Sequence, residues 1–582
     1  VKRLTQIALV GVFLLAVVST AVAQPAAPPA GPALQPVYRL GNFIEVGNDV
    51  WMHIIATSDI RYSTNENMDF EKRVRDQAAD RTPNDTNVQT TDADLTWVES
   101  RFGADFRYRK NLTFQLMFEQ QTIMDGQLID GQSNNDTPGG TDVFGRPAET
   151  ENNNFHTERY WLRYRFEGTP LTLFVGAELK QVSQAGIFGN DDPGIGIELE
   201  FGDLQLSAKA YMEREAQRLG LQNDNDLVSY AFEATYDLKP HRFGFDVVYF
   251  RDRFFGADTA TVGCGGRSGL YCSGQKTDSV WIDASWSGRF GPVRALLQGN
   301  LMLGTAQGGT ANLPAGVLRE RDYDIFAGSA IAYAEVDFGV VRPFLFGVFG
   351  SGDGNPRDRQ LRGFGDVQPQ GDSTQWANGL MDHLDKTVSA GTRDISCPGR
   401  FRGVASRQNG VPGNPYAIGA LITQSTASTA FSQCTHGVAN LWNNQLGRKS
   451  HQGWIGTYSN PGTLLGSVGL RTFPARGHEI TGWYVYKGMV TANLLEEAFA
   501  VEIGNGTIRK IREALYHEFG GFWMWTLNPH FDIRFAGSAL LADGAIKDMA
   551  RLANCDPGTG VRRPCEAEAV ALRGEARFRA RF

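Results

Sequence analysis

Past residue 23 the chain has no apolar run long enough to cross a bilayer as a helix, which takes about 20 residues. It has neither His-Glu-x-x-His nor Gly-x-Ser-x-Gly, so the local signatures of a zinc hydrolase and of a serine nucleophile turn are both missing. His478-Glu479 and His517-Glu518 would each put their polar groups on opposite faces of a strand, so neither pair can share a site. Gly263-Cys264-Gly265-Gly266 follows no strand-to-helix pattern, which argues against a phosphate loop. The expectation is a protein that is not an enzyme, takes no cofactor or metal, and binds no nucleic acid. Cysteine is scarce, 6 in 582 residues, and falls in sequence as Cys264 with Cys272, Cys397 with Cys434, and Cys555 with Cys565. These spacings fit no zinc pattern, and an even number in an exported chain points to three local disulfides, although spacing does not fix their connectivity. No composition break divides the chain beyond residue 36, so one large closed sheet is more economical than several soluble domains.

What is present starts with a segment that reads as an export signal. Lys2 and Arg3 precede the apolar run Ile7 to Val18, and Ala21-Val22-Ala23 supplies small residues for cleavage, giving a signal peptide over 1–23. Residues 24–36, rich in Pro and Ala, read as a stiff linker, and 37–582 as the folded domain.

The last residues set the fold class. Leu572, Gly574, Ala576, Phe578, Ala580 and Phe582 fall on one face of a strand, and Arg573, Glu575, Arg577, Arg579 and Arg581 on the other. An apolar face backed by a charged one suits a barrel wall between lipid and a water-filled lumen; an amphipathic edge strand of a secreted sandwich is the alternative. Similar segments recur in pairs around tight turns at 110–111, 168–170, 202–203, 239–240, 291–292, 339–340, 474–476 and 527–529. These eight hairpins, a first strand near Val50–Arg61 and the final strand make an all-β, transmembrane antiparallel barrel of about eighteen strands. With the last strand ending in the periplasm, every tight turn lies on the periplasmic side. The long polar connections 63–93, 126–154, 253–276, 352–462, 490–513 and 544–567 lie outside, together with all six cysteines. So wide a barrel encloses a channel unless something fills it, and 352–462 is the candidate plug or lid, with an adhesive surface loop as the alternative.

Two stretches resemble the bacterial alginate-export family of outer-membrane porins. They are Phe349-Gly350-Ser351-Gly352-Asp353-Gly354-Asn355, and Glu518-Phe519-Gly520 through Leu527-Asn528-Pro529-His530-Phe531. The resemblance implies an eighteen-stranded barrel with an electropositive pore that passes an anionic uronate polysaccharide outward. The three cysteine pairs and the length of 352–462 depart from that family's pattern.

The inward faces carry the expected function. Arg573, Arg577, Arg579 and Arg581 lie on the last strand, Arg101, Arg107 and Arg109 before the turn at 110–111, and Arg159, Arg163 and Arg165 before that at 168–170. Arg294, Arg342 and Arg534 follow similar turns. Guanidinium groups bind carboxylate or phosphate by paired hydrogen bonds, and Arg rings favour anions in pores. Against this, Glu167, Glu198, Glu200, Glu335, Asp337 and Glu575 lie near the same end and could neutralise the arginines across the wall. The acidic runs 190–192 and 223–226 read as solvated outer turns, with calcium ligation as the alternative. The expected protein is therefore a porin of a Gram-negative outer membrane. Its expected partners are membrane lipid, anionic small molecules or polysaccharide, and the barrel-assembly machinery through the C-terminal strand. The competing reading is an adhesion or scaffold barrel with a plugged lumen.

Overall fold

A computed structural model of the chain describes residues 40–47, 49–66, 93–123, 154–182, 188–214, 227–252, 276–307, 322–355, 358–363, 462–493, 496, 510–552 and 569–581. The expected signal peptide and linker, all six cysteines and most of 352–462 lie outside them.

The strands are β1 (Leu40–Gly47), β2 (Val50–Glu66), β3 (Ala93–Tyr108), β4 (Leu112–Ile123), β5 (Asn154–Arg165), β6 (Leu171–Val182) and β7 (Phe188–Phe201). They continue as β8 (Leu204–Arg214), β9 (Leu227–Leu238), β10 (His241–Asp252), β11 (Lys276–Phe290), β12 (Val293–Gln307), β13 (Asp322–Val336) and β14 (Val341–Gly350). The last six are β15 (Gln360–Leu361), β16 (Thr463–Thr472), β17 (His478–Gly488), β18 (Ala514–Asn528), β19 (Phe531–Ala542) and β20 (Val570–Arg581). A helix, α1 (Gly544–Leu552), follows β19.

From β2 onward each strand pairs antiparallel with the next, β14 passing directly to β16, and β20 pairs back onto β2 from Thr57↔Arg581 to Glu66↔Leu572. The result is a closed antiparallel barrel of 18 strands. All eight expected hairpins are present. Closure has a physical cause: a backbone donor or acceptor left unpaired in hydrocarbon costs several kcal/mol, and only a ring has no edge.

Alternation sorts the two faces. Phe102, Tyr160, Leu173, Ile197, Phe245, Leu297, Phe326, Ile480, Phe519 and Phe535 point outward and are exposed, forming an apolar exterior around the ring. Aromatic rings gather at the tight-turn end, where the ring of His478 lies parallel to those of Trp523 and Trp525 with centroids 5.9 and 5.4 Å away. Such girdles mark the interfacial level of membrane barrels.

The two ends of the barrel chain share one column of the wall. β20 stops opposite Thr57, and β1 pairs with β2 just below, from Leu40↔Ile54 to Gly47↔Val50. A similar patch lies above β14, where β15 pairs in parallel with Asp324 and Ile325 of β13. Gly176 allows β5 and β6 to run close: at φ +126°, a Cβ there would lie 2.1 Å from the Tyr160 carbonyl oxygen.

Four local expectations need correction. β1 was not anticipated, because Gly41 and Gly47 interrupt the alternation. β2 runs to Glu66, past the expected loop start at 63, since β20 and β3 pair with it on both sides. Residues 190–192 are no outer turn: Asn190, Asp191 and Asp192 extend β7 opposite Lys180, Leu179 and Glu178 of β6. The connection expected over 544–567 holds α1, tied down by Arg512, whose Nε donates to Asp548 Oδ2 at 2.8 Å. That contact holds the Asp548 carboxyl below its ordinary range.

Candidate functional site

The lumenal wall holds the charged side chains, and strand register decides which of them meet. On β20, Arg577 has Arg534 and Arg61 as its Cα partners on the two flanking strands. Like charges directly opposite repel, but diagonal neighbours about 7–8 Å away are within reach of long side chains. Carboxylates accordingly occupy the diagonal and adjacent positions. Arg577 Nε donates to Asp59 Oδ1 at 2.7 Å and its Nη2 to Oδ2, a two-point clamp. Asp532 accepts from Arg579 Nε at 3.0 Å and from Arg581 Nη2. Arg534 donates to Glu575, both nearly fully buried. Four arginines thus share three carboxylates. Side-chain exposure rises along β20 from 14% at Arg577 to 22% at Arg579 and 28% at Arg581, so the guanidinium groups open toward the tight-turn end.

A second cluster spans β5 to β8. Arg163 donates to Glu178 and Glu198, and Lys209 Nζ lies 2.8 Å from both of these carboxylates. The Arg163 guanidinium sits 4.3 Å from the Trp161 ring centroid and 5.1 Å from that of Phe174. Trp161 Nε1 donates to Gln115 at 2.7 Å, and Gln115 donates to Asp105 at 2.7 Å. In a third cluster, Arg471 donates to Glu335 at 2.8 Å and to Glu479 at 3.0 Å.

The remaining expected arginines are dispersed. Arg101 donates to Glu119 at 2.5 Å on the inner wall, and Arg342 lies 3.2 Å from Asp337. Arg165 pairs with Glu200 at the rim, half exposed. Arg109 is not on the lumenal face: its φ of 52° turns it out of the strand line, and it meets Asp49 at 3.2 Å on the rim. Arg107, Arg159, Arg294 and Arg573 stand in register with Trp51, Met117, Glu335 and Ser538 respectively. The arginines therefore form several ion-paired groups instead of a single ring. Lys209, Glu178, Trp161 and Arg471 were missed, because only the cross-strand register shows that they meet.

The lumen is also less polar than alternation suggested. Leu296, Phe344, Leu465, Val485 and Phe522 point inward and are buried, packed into one apolar cluster across β12 to β18. Leu296 and Val485 are 0% exposed. A second buried cluster, with Tyr211, Val248, Phe250, Trp281 and Met302, packs the inner face of β8 to β12.

No family model matches this chain, and neither does any curated protein sequence. Several solved structures share its architecture. OccAB3 of Acinetobacter baumannii is 10% identical, with 91% of this chain and 99% of that chain covered and a TM-score of 0.42. OccK5 (OpdH) of Pseudomonas aeruginosa is 8% identical, with 91% and 98% covered and a TM-score of 0.39. A BenF-like porin from Pseudomonas fluorescens Pf-5 is 11% identical, with 93% and 100% covered and a TM-score of 0.41. Likeness this remote carries no argument about function, and the barrel rests on the closed register itself. None of these three is named as an alginate exporter, so the resemblance to that family gains no support from them.

Proposed function

We propose that the chain is a passive outer-membrane channel of a Gram-negative bacterium for small hydrophilic solutes, with a preference for anions set along the β19–β20–β2 seam. The observation that carries this reading is a closed ring with an apolar exterior and a lumenal seam on which four arginines share three carboxylates. A hydrated lumen removes the hydrocarbon barrier, and partly exposed guanidinium groups give an anion several weak stations from which it can leave again. Carboxylates of a uronate oligomer are among the anions this chemistry accepts.

The test is current through purified protein in a planar bilayer under a salt gradient. Steady conductance with a reversal potential on the anion side supports the channel and its preference. Conductance with no preference removes the anion assignment alone. A silent barrel favours a second reading, a sealed scaffold, which the buried apolar cluster on β12 to β18 independently favours.

A further inference from the structure

Diametrically across the ring from β20, nine strands away in either direction, lies β10. Its lumenal face carries an acid that the neighbouring strands continue into a row. Glu233 of β9 stands opposite Asp246 of β10, and Asp246 opposite Asp283 of β11. Ser207 of β8 and Asn300 of β12 close the row with neutral groups. The outward positions beside it hold Phe232, Phe245 and Leu301, so alternation puts the acids on the inner wall. Asp246 is 5% exposed and Asp283 4%, and their carboxyl groups make a side-chain hydrogen-bonding contact with each other.

The basic groups nearby serve other acids. On β8, Lys209 lies beside Glu233 and 2.8 Å from both Glu178 and Glu198, which it shares with Arg163, and Tyr211 also donates to Glu178. Arg242, toward the tight turn of β10, meets Asp237 at 3.6 Å, and Arg294 of β12 stands opposite Glu335. On the other flank β12 brings the neutral amide of Gln298 against Asp283, and Asn300 gives its Nδ2 to Ser329 Oγ at 2.8 Å. On β11 itself the inner face holds Trp281 and Ser285 on either side of Asp283. Two ionised carboxylates have only acceptors to offer each other, and buried like charges in contact do not both persist. A carboxylic acid beside a carboxylate has the one O–H that the contact needs. Asp283 requires it whatever else Asp246 accepts, because the charged neighbour that Asp283 has among the described residues is an acid.

We infer that Asp246 and Asp283 hold one proton between them at neutral pH, and that this pair sets the pH range over which the lumen keeps its preference for anions. The first half stands on the wall alone, and the second rests on the channel reading above. With the proton in place the pair carries a single negative charge, so the far wall opposes the arginine seam less than its composition implies. In alkaline solution the O–H bond breaks and the proton passes to hydroxide. The wall then gains a full negative charge, and the lumen turns toward cations.

The proton is tested without current, so its failure and that of the channel reading are distinguishable. Infrared spectra of the folded full-length protein in detergent are compared with those of Asp283→Asn, whose amide offers Asp246 a donor of the same shape without the acid. The expected result is a protonated-carboxyl carbonyl band at neutral pH that the variant lacks and that the parent loses as the solution is made alkaline. Denaturant unfolding counts the same proton. A proton kept in the fold and released on unfolding makes stability fall as the pH rises. From about pH 5 to 7 the parent's unfolding constant should therefore climb about tenfold per pH unit relative to the variant's. Absence of the band from the parent at neutral pH, which needs no variant, or equal pH slopes in the two proteins overturns the shared proton. Failure of Asp283→Asn to fold also overturns it, since a neutral amide there replaces a neutral acid. In bilayers, the parent's anion-to-cation permeability ratio should fall a few-fold further than the variant's in alkaline solution, and equal falls overturn the link to selectivity.

Discussion

The seam formed by β19, β20 and β2 and the wall formed by β10 to β13 face each other across the barrel, and they treat charge in opposite ways. On the seam, every described arginine side chain has found a carboxylate, and basic groups are in excess. On the far wall, the carboxyl groups of Glu233, Asp246 and Asp283 stand in line on β9, β10 and β11, with no basic side chain in contact with Asp283 among the described residues. Both faces are built by the same alternation. Like charges fall in line on both, Arg534, Arg577 and Arg61 on the seam and Glu233, Asp246 and Asp283 on the far wall; what differs is that the seam arginines have carboxylates on the diagonals.

The comparison can be broken most forcefully at Arg534. Its removal as Arg534→Ala strands the buried Glu575, and the expected loss is about 3–5 kcal/mol in denaturant unfolding from lipid or detergent. The matching change at the half-exposed rim pair, Arg165→Ala, is expected to cost no more than about 1 kcal/mol. Equal costs would show that the seam is as wet as the rim. Slightly smaller is the effect expected of Leu296→Ala in the apolar cluster, about 2–4 kcal/mol if that side is dry and packed. A cost under about 1 kcal/mol would mean that water reaches it.

Selectivity sharpens the comparison from the other direction. Replacing Arg577, Arg579 and Arg581 by Ser should lower the anion-to-cation permeability ratio a few-fold in the bilayer reversal potential, and an unchanged potential would remove the seam from the pathway. The smallest effect is expected at α1. Because Arg512 holds the Asp548 carboxyl below its ordinary value, the stability this pair contributes is complete above about pH 4. It fades as the pH falls further, through the depressed value. Amide exchange in α1 should therefore be flat from neutrality to about pH 4 and rise only below it.

Much of the wall could be read from the sequence because a strand with lipid on one side must alternate. Trp97 to Phe118 shows both hairpin strands and their turn in a single line of text. β1 could not be read this way, since its glycines blur the period, and neither could the upper part of β7, where Asn190 to Asp192 look like a turn and are held extended by pairing with β6. The charged partners were less legible still. Arg577 and Asp59 are separated by most of the chain, and only closure of the ring brings them together. The buried apolar side chains of the lumen were missed because alternation distinguishes two faces without saying that the inner one is wet.

The shared column of β1 and β20 bears on how the molecule is built. Residues 50–56 of β2 lie beyond the reach of β20, and β1 covers that edge from Val50 to Ile54. One staff of the barrel is therefore made from the earliest and the latest parts of the domain, laid end to end. The wall is finished only when the last strand docks on β2 above β1. Assembly of this chain has one completing event, and until it happens neither end of the domain has its full complement of neighbours.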